Sequence, residues 1–593
     1  MEVVYDPAFA NDPSVPPYRY FLRETAGMRG RYLALSHRWG DDTFGARTLK
    51  NNYECRTGRC GEGCTVECAP PTRLFVEAAN LGLWLGVKYI WIDSWCIVQD
   101  DEEDWARESV RMADYYQYAW LVISATTLTP EGGLFGELSP EDMPTLTRLP
   151  YYDKEGMQQG HFYAQCMGED KLASDYVRHV SHSSLLRRGW VYQEWMLSRR
   201  LLSFSAAGLF VQCQNAAPKG IAGDAVSRWA AGVEDLRGDE PEGYNDLAFK
   251  SSLGFALGSV KEVRESWLTA VETYSGLEIT HLEEDRLIAM AGVAKEFGIA
   301  LAKSDGEGRR EQCKHRYASG LWFGHVRGLL WEQVSHGPRI RVQGLPSWSW
   351  ASIATIMDNE KVKTGMAVQW AKRTRPYDGP KDVCEMVEAR TVPVDVSVTE
   401  DGRTVMTPLF EEATDEPPES EYNKDHRFVM LGVKAQLMRV RVHEEFESED
   451  DTKAAAVLTT HSPDFGRGMW RRVTTESEPN TIVGWASIEH PDWQDDGEDS
   501  DTHQNEGPLS QLIGQGRIVQ ALFVSRIGKV KGGLGYGNWR GYQAAFKVLF
   551  VQPVDIPGFG TCYERVGTGR LFGNDVDAAF KGLRNESELV WLV

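Results

Sequence analysis

RGWVYQEWMLSRRLLSFS, residues 188–205, places a carboxylate on a helical segment directly ahead of an apolar strand. Glu194 follows Trp190 by four residues, and that spacing puts both side chains on one helix face. The run LLSF at 201–204 reads as a buried strand. A carboxylate held at a sheet edge beside an aromatic ring can position a ribose or offset a developing positive charge. The plainer reading is a surface helix whose Glu194 is solvated or paired with Arg187, Arg188 or Arg199, because glutamates are seldom buried.

Working back toward the N-terminus, the preceding segments alternate between strand and helix patterns. YLALSH at 32–37 is a short apolar run stopped by Arg38, Trp39 and Gly40, which predicts a strand and then a tight loop. Residues 71–86 carry apolar side chains at helical spacing, with proline near the start and glycine at the end. KYIWID at 88–93 is a second strand ending in an acid. The acids of 100–104 then open a helix over 105–119, where the helix dipole favours them. LVISA at 121–125 is a third buried strand, residues 160–166 fit another, and 209–213 form a last one. This order predicts an α/β domain with a mostly parallel sheet.

Residues 216–345 read as a helical region, with 260–274 and 285–297 the clearest helices. Residues 1–30 are punctuated by proline and read as an irregular leader. From 346 onward, short Val-rich strands alternate with acidic loops at 411–421 and 492–506, which predicts a β-rich C-terminal domain. The expected domains are therefore 1–30, 31–215, 216–345 and 346–593. PSWSWAS at 346–352 marks a compact aromatic turn.

Bulk composition narrows the function classes. At 593 residues the chain exceeds a single core. Its 64 basic against 86 acidic residues leave a formal charge of −22, which argues against nucleic acid or an anionic membrane as a partner. No signal peptide pattern opens the sequence, and the most apolar stretch, 81–98, is interrupted by Lys88 and Asp93, so no membrane span is expected. Six of the ten cysteines are scattered, which suits a reducing, cytoplasmic setting. The other four, Cys55, Cys60, Cys64 and Cys68, are clustered. A structural zinc, a loop of thiols and disulfides all stay open for them, because the spacing is not that of paired CxxC knuckles. Neither HExxH nor GxSxG occurs, and GGLGYGNWRG at 532–541 lacks the Lys-Ser/Thr of a phosphate loop.

Three blocks, YLALSHRWG, YIWIDSWCIVQDDEEDWARESVRMADYYQYAWLVISAT and RGWVYQEWMLSRRLLSF, occur in one order. Together they resemble the fungal heterokaryon incompatibility (HET) domain, and LEEDRLIAMAGVAKEFG, YASGLW and PSWSWAS resemble segments that follow it. The resemblance covers roughly the first 350 residues. It implies a cell-death effector of filamentous-fungal immunity that works in the cytoplasm through self-association or another incompatibility protein. HET domains are held to be distant relatives of TIR domains, which implies a TIR-like, flavodoxin-like sheet. Many TIR domains cleave NAD with a Glu on a helix carrying Trp-x-x-x-Glu. Trp190 and Glu194 match that spacing, so the resemblance gives Glu194 the catalytic role and makes NAD the substrate. Strand ends supply the expected pocket walls, namely Ser36, His37, Trp39, Asp93, Cys96 and Gln99, with Trp190 beside them. The rival expectation is a non-catalytic interaction module that signals by recruiting partners, with Glu194 structural.

Overall fold

A computed structural model describes residues 1–5, 18–60, 71–126, 133–135, 146–165, 169–214, 218–220, 259–304, 316–333, 339–357, 362–365, 368–370, 381–398, 404–409, 427–443, 470–477, 481–488, 516–527, 545–557, 559–583 and 587–593. These residues fall into two compact units: Met1–Phe255 with Ala289–Glu296, and Ala256–Ile288 with Phe297–Val593. Cys64, Cys68, the acidic stretches 411–421 and 492–506, and the glycine-rich run 532–541 lie outside the described residues.

The first unit opens with β1 (Glu2–Tyr5), paired antiparallel to β2 (Tyr18–Phe21). This corrects the expectation of an irregular leader, since two four-residue segments find each other across the prolines. The sheet follows, from β3 (Leu33–Ser36) through the helices α1 (Asp41–Ala46), α2 (Tyr53–Arg56) and α3 (Arg73–Trp84) to β4 (Ile90–Trp91). Thr72 caps α3, its side chain accepting from the Phe75 amide. Next come α4 (Asp93–Cys96), α5 (Glu102–Tyr118) and β5 (Leu121–Ala125). Asp101 caps α5 by accepting from the Glu103 and Asp104 amides, so the acidic run serves the helix start as its charge pattern suggests.

β6 (Leu146–Tyr152) and β7 (Gln158–Gln165) form a separate antiparallel hairpin. The expected strand at 160–166 is therefore one arm of that hairpin and no part of the main sheet. After α6 (Glu169–Tyr176), the chain enters α7 (Gly189–Leu197), β8 (Arg200–Ser205), β9 (Gly208–Cys213) and β10 (Lys219–Gly220).

The main sheet runs β10-β9-β8-β5-β3-β4. Pairings β3–β4, β3–β5 and β5–β8 are parallel, while β8–β9 and β9–β10 are antiparallel. Its parallel strands are short and buried on both faces, as parallel sheets require. Leu33, Leu35, Phe75, Ile92, Trp95, Ile123 and Phe204 lie in one core cluster. From β3 the chain first crosses to β4 on one side and then to β5 on the other. That reversal creates a switch point beyond the carboxyl ends of the strands, where doubly wound sheets bind ligands.

The second unit is mixed. Its helices are α8 (Val260–Ser275), α9 (Leu282–Asp285) and α10 (Ile288–Ser304), of which Ala289–Glu296 groups with the first unit. The helical expectation for 216–345 meets short strands at Tyr317–Ala318, Leu321–Trp322, Trp331–Gln333 and Arg339–Arg341. PSWSWAS forms a buried knot. Indole N–H groups of Trp331 and Trp348 donate to the carbonyls of Trp348 and Val429, and Ser349 Oγ donates to Ser319 O.

The β-rich part closes on itself. Strands Leu437–Val442, Trp470–Thr474, Ile482–Ile488, Gly560–Phe572, Ala545–Ile556 and Arg517–Ile527 pair in that cyclic order, all antiparallel, into a six-stranded barrel. Val440, Val473, Val519, Phe523, Phe546, Phe550 and Leu571 belong to its core cluster, with Val576 and Phe580 from the helix Asn574–Gly582. Closure brings backbones close: a Cβ at Gly569 would lie 2.0 Å from the Trp485 carbonyl oxygen, so only glycine fits there. Among the described residues, no helix is long and apolar enough to cross a membrane.

Candidate functional site

Helix α7 is where the plain reading of the opening stretch gives way. All its residues but Trp190 are buried, so it has no polar face on which a solvated glutamate could sit. Glu194 is 5% exposed, and no ion pair to Arg187, Arg188 or Arg199 is seen among the described residues. Arg199 instead lies over the Tyr118 ring at 5.2 Å.

The Glu194 side chain points to the carboxyl end of β3. Its carboxyl is pushed up to about 8, chiefly by burial and secondly by the negative charge of Asp93. Ser36, Arg188 and Tyr116 act in the opposite sense but do not offset the burial. Ser36 sits at the end of β3 and its Oγ makes no full hydrogen bond. Tyr116, on the buried face of α5, donates to the Leu35 carbonyl at 3.2 Å. Burial, with Glu194 and Asp93 nearby, pushes its phenol well above the usual tyrosine range.

Asp93 opens α4 after β4, and its own carboxylate is heavily engaged. It accepts from Trp39 Nε1 at 2.9 Å and from the Ser94 amide at 2.7 Å, while His37 Nδ1 lies 3.8 Å away. One side chain thus holds Trp39 and the adjacent Ser94 amide and still lies close enough to Glu194 for its charge to be felt there. Arg188, the residue before α7, reaches the His37 carbonyl with a long bond of 3.4 Å.

The structure therefore brings Ser36, His37, Trp39 and Asp93 together with Glu194, and it adds Tyr116 and Arg188. Three other candidates have different surroundings. Cys96 Sγ accepts from the Ile92 and Met1 nitrogens, and Gln99 Nε2 donates to the Asp93 and Ile97 carbonyls, so both bind the loop after β4 together. Trp190 meets Trp105 of α5 edge-on at 6.3 Å. Its ring lies across the α5–α7 contact, a placement that one helical turn of spacing does not settle. Tyr116 was hidden in sequence because its helical stripe reads equally as core, and Arg188 because it reads as surface charge. Their one signal was position in two of the blocks quoted above.

Cys55 is half-buried on α2 and Cys60 is exposed just after it. Among the described residues no three His, Cys, Asp or Glu side chains are grouped to hold a metal ion.

Residues 32–194 match the family model for the heterokaryon incompatibility protein (HET), a span that begins one residue before β3 and ends at Glu194. The chain carries a HET domain. No curated protein and no solved structure matches the chain. The HET domain ties the protein to heterokaryon incompatibility. Its matched span contains every residue of the cluster at the strand ends.

This geometry has a direct electrostatic consequence. Asp93→Asn removes the charge that, after burial, does most to hold the Glu194 proton on. The pH at which Glu194 ionises is then expected to fall, read as loss of the protonated-carboxyl infrared band at lower pH than in wild type. An unchanged midpoint would mean that burial alone sets it.

Proposed function

We propose that the HET domain cleaves the bond between nicotinamide and ribose in NAD, with Glu194 as the group that acts on the reacting sugar. The observation that carries this reading is a buried carboxylate at the switch point of a parallel sheet, facing hydroxyls and a second carboxylate. Nicotinamide in NAD⁺ is already a cationic leaving group. As the C1′–N bond breaks, its electron pair goes to the ring nitrogen, and positive charge spreads over C1′ and the ring oxygen. A carboxylate fixed in a dry pocket offsets that charge without having to reorganise. Water then adds to C1′ and loses a proton, giving ADP-ribose and free nicotinamide.

Burial serves this role in two ways. It strengthens the carboxylate's interaction with the cation, and it keeps Glu194 protonated until a cationic substrate arrives. Ser36, His37, Trp39 and Asp93 form the proposed walls. Activation by self-association, with cell death after incompatible fusion as the outcome, accompanies this reading as an extension of the TIR likeness.

The test is nicotinamide release from NAD by the purified full chain, assayed both dilute and in a crowding agent so that an assembly-dependent enzyme is not missed. Release is the expected result. No release in either condition would overturn cleavage and favour an interaction module.

A further inference from the structure

Arg188 is the one cation whose charge is felt at the Glu194 carboxyl, among the described residues. Its charge draws the Glu194 ionisation down, yet the two side chains form no ion pair among the described residues. Nor is Arg188 used up elsewhere. Its guanidinium carries five N–H donors, and among the described residues it makes one hydrogen bond, the long one to the His37 carbonyl. Half-buried at the amino end of α7, it is more accessible than the carboxyl below it. The buried Ser36 at the end of β3 turns its hydroxyl to the same Glu194 carboxyl that feels the Arg188 charge. A planar donor fork that is little used beside a buried carboxyl and a hydroxyl is suited to an anion, and phosphate oxygens match that fork. The positive end of the helix dipole acts in the same direction.

We propose that Arg188 binds a phosphate of the substrate, so that the site selects phosphorylated nicotinamide nucleotides over the bare nucleoside. The inference rests on the reading above that a nicotinamide ribose sits at Glu194. The 5′-phosphate of that ribose is one sugar's width from the bond that breaks, which places Arg188 as a binding and positioning residue.

Binding separates this proposal from the cleavage reading. Full-length protein carrying Glu194→Gln, which holds ligand without consuming it, is titrated calorimetrically with NAD and with nicotinamide riboside, with and without Arg188→Ala. Arg188→Gln and Arg188→Lys serve as size-matched variants should the alanine form fail to fold. Loss of Arg188 is expected to weaken NAD binding roughly 10- to 100-fold, as for a charge-assisted bond to an ion. Nicotinamide riboside binding should stay unchanged, and lysine should restore part of the NAD affinity. An equal loss for both ligands, no loss for NAD, or no NAD binding even with Arg188 present would each overturn the assignment. A selective loss of NAD binding, in a protein whose wild type releases no nicotinamide, would uphold Arg188 and overturn cleavage alone.

Discussion

Replacing Glu194 by Gln is expected to lower nicotinamide release roughly 100- to 1000-fold and, in the same protein, to raise stability at neutral and mildly alkaline pH. Both effects have one cause. Glutamine keeps the shape and the hydrogen-bonding capacity of the side chain but can never bear the charge that offsets the developing cation. The activity arm predicts a pH profile as well. Only the ionised form acts, so kcat/KM of the wild type should rise with pH through about 8, the value that burial and Asp93 impose on the free protein.

The stability arm follows from linkage. The Glu194 carboxyl ionises near its ordinary value of 4.5 in the unfolded chain and near 8 in the folded one. Between those values the folded state holds a proton that the unfolded state has lost. Stability therefore falls as pH rises across that window, by about 1.4 kcal/mol per pH unit at most, and levels off above it. The substituted glutamine side chain has no such proton to lose. The difference in melting temperature between Glu194→Gln and wild type should widen from pH 5 to pH 8. A constant difference over that range would mean that Glu194 is ionised in the folded protein throughout, and that the cost of its burial is met in some other way.

The second large effect is expected in the second unit, at Gly320. Its φ is +89°, and its carbonyl accepts from the indole N–H groups of both Trp267 and Trp350 at 3.0 Å. A Cβ there would stand 2.3 Å from Trp350 Nε1, a fully buried atom that has no room to retreat. Gly320→Ala thus combines backbone strain, overpacking and the loosening of two buried hydrogen bonds. A loss on the order of 3–5 kcal/mol is expected in denaturant unfolding. Gly560 is the control: its φ is +98°, but nothing lies within 4 Å of its would-be Cβ. Gly560→Ala should cost only the backbone term, about 1–2 kcal/mol. Equal losses at the two positions would show that conformation matters and that the indole pair does not.

How much was legible differs between the parts of the site. The strand that ends at Ser36, the acid after the second strand and the helix bearing Glu194 could all be read from local patterns, because a short apolar run and a 3.6-residue period leave marks within ten residues. The family model match at residues 32–194 agrees with the resemblance drawn from the same blocks. The mistaken or incomplete readings involve contacts between distant segments. Trp190 was placed beside Glu194 by spacing, yet its ring meets Trp105, about eighty residues earlier. The leader looked irregular because β1 and β2 are each too short to announce themselves and are strands only through their pairing. Barrel closure has no local signature either. The individual strands were visible, but the pairing of Leu437–Val442 with Arg517–Ile527 joins segments far apart in the chain.

By itself the sequence determined the alternation of strands and helices in the first unit, the chemical identity of the carboxylate at 194, and the β-rich character of the C-terminal part. Tertiary structure alone decided the order β4-β3-β5-β8, which creates the switch point, and the burial of α7, which turns an ordinary glutamate into one that holds its proton to about pH 8. The reason is physical. Backbone conformation answers to neighbours along the chain, whereas desolvation and charge at Glu194 are set by Ser36, Asp93, Tyr116 and Arg188, which only folding brings together.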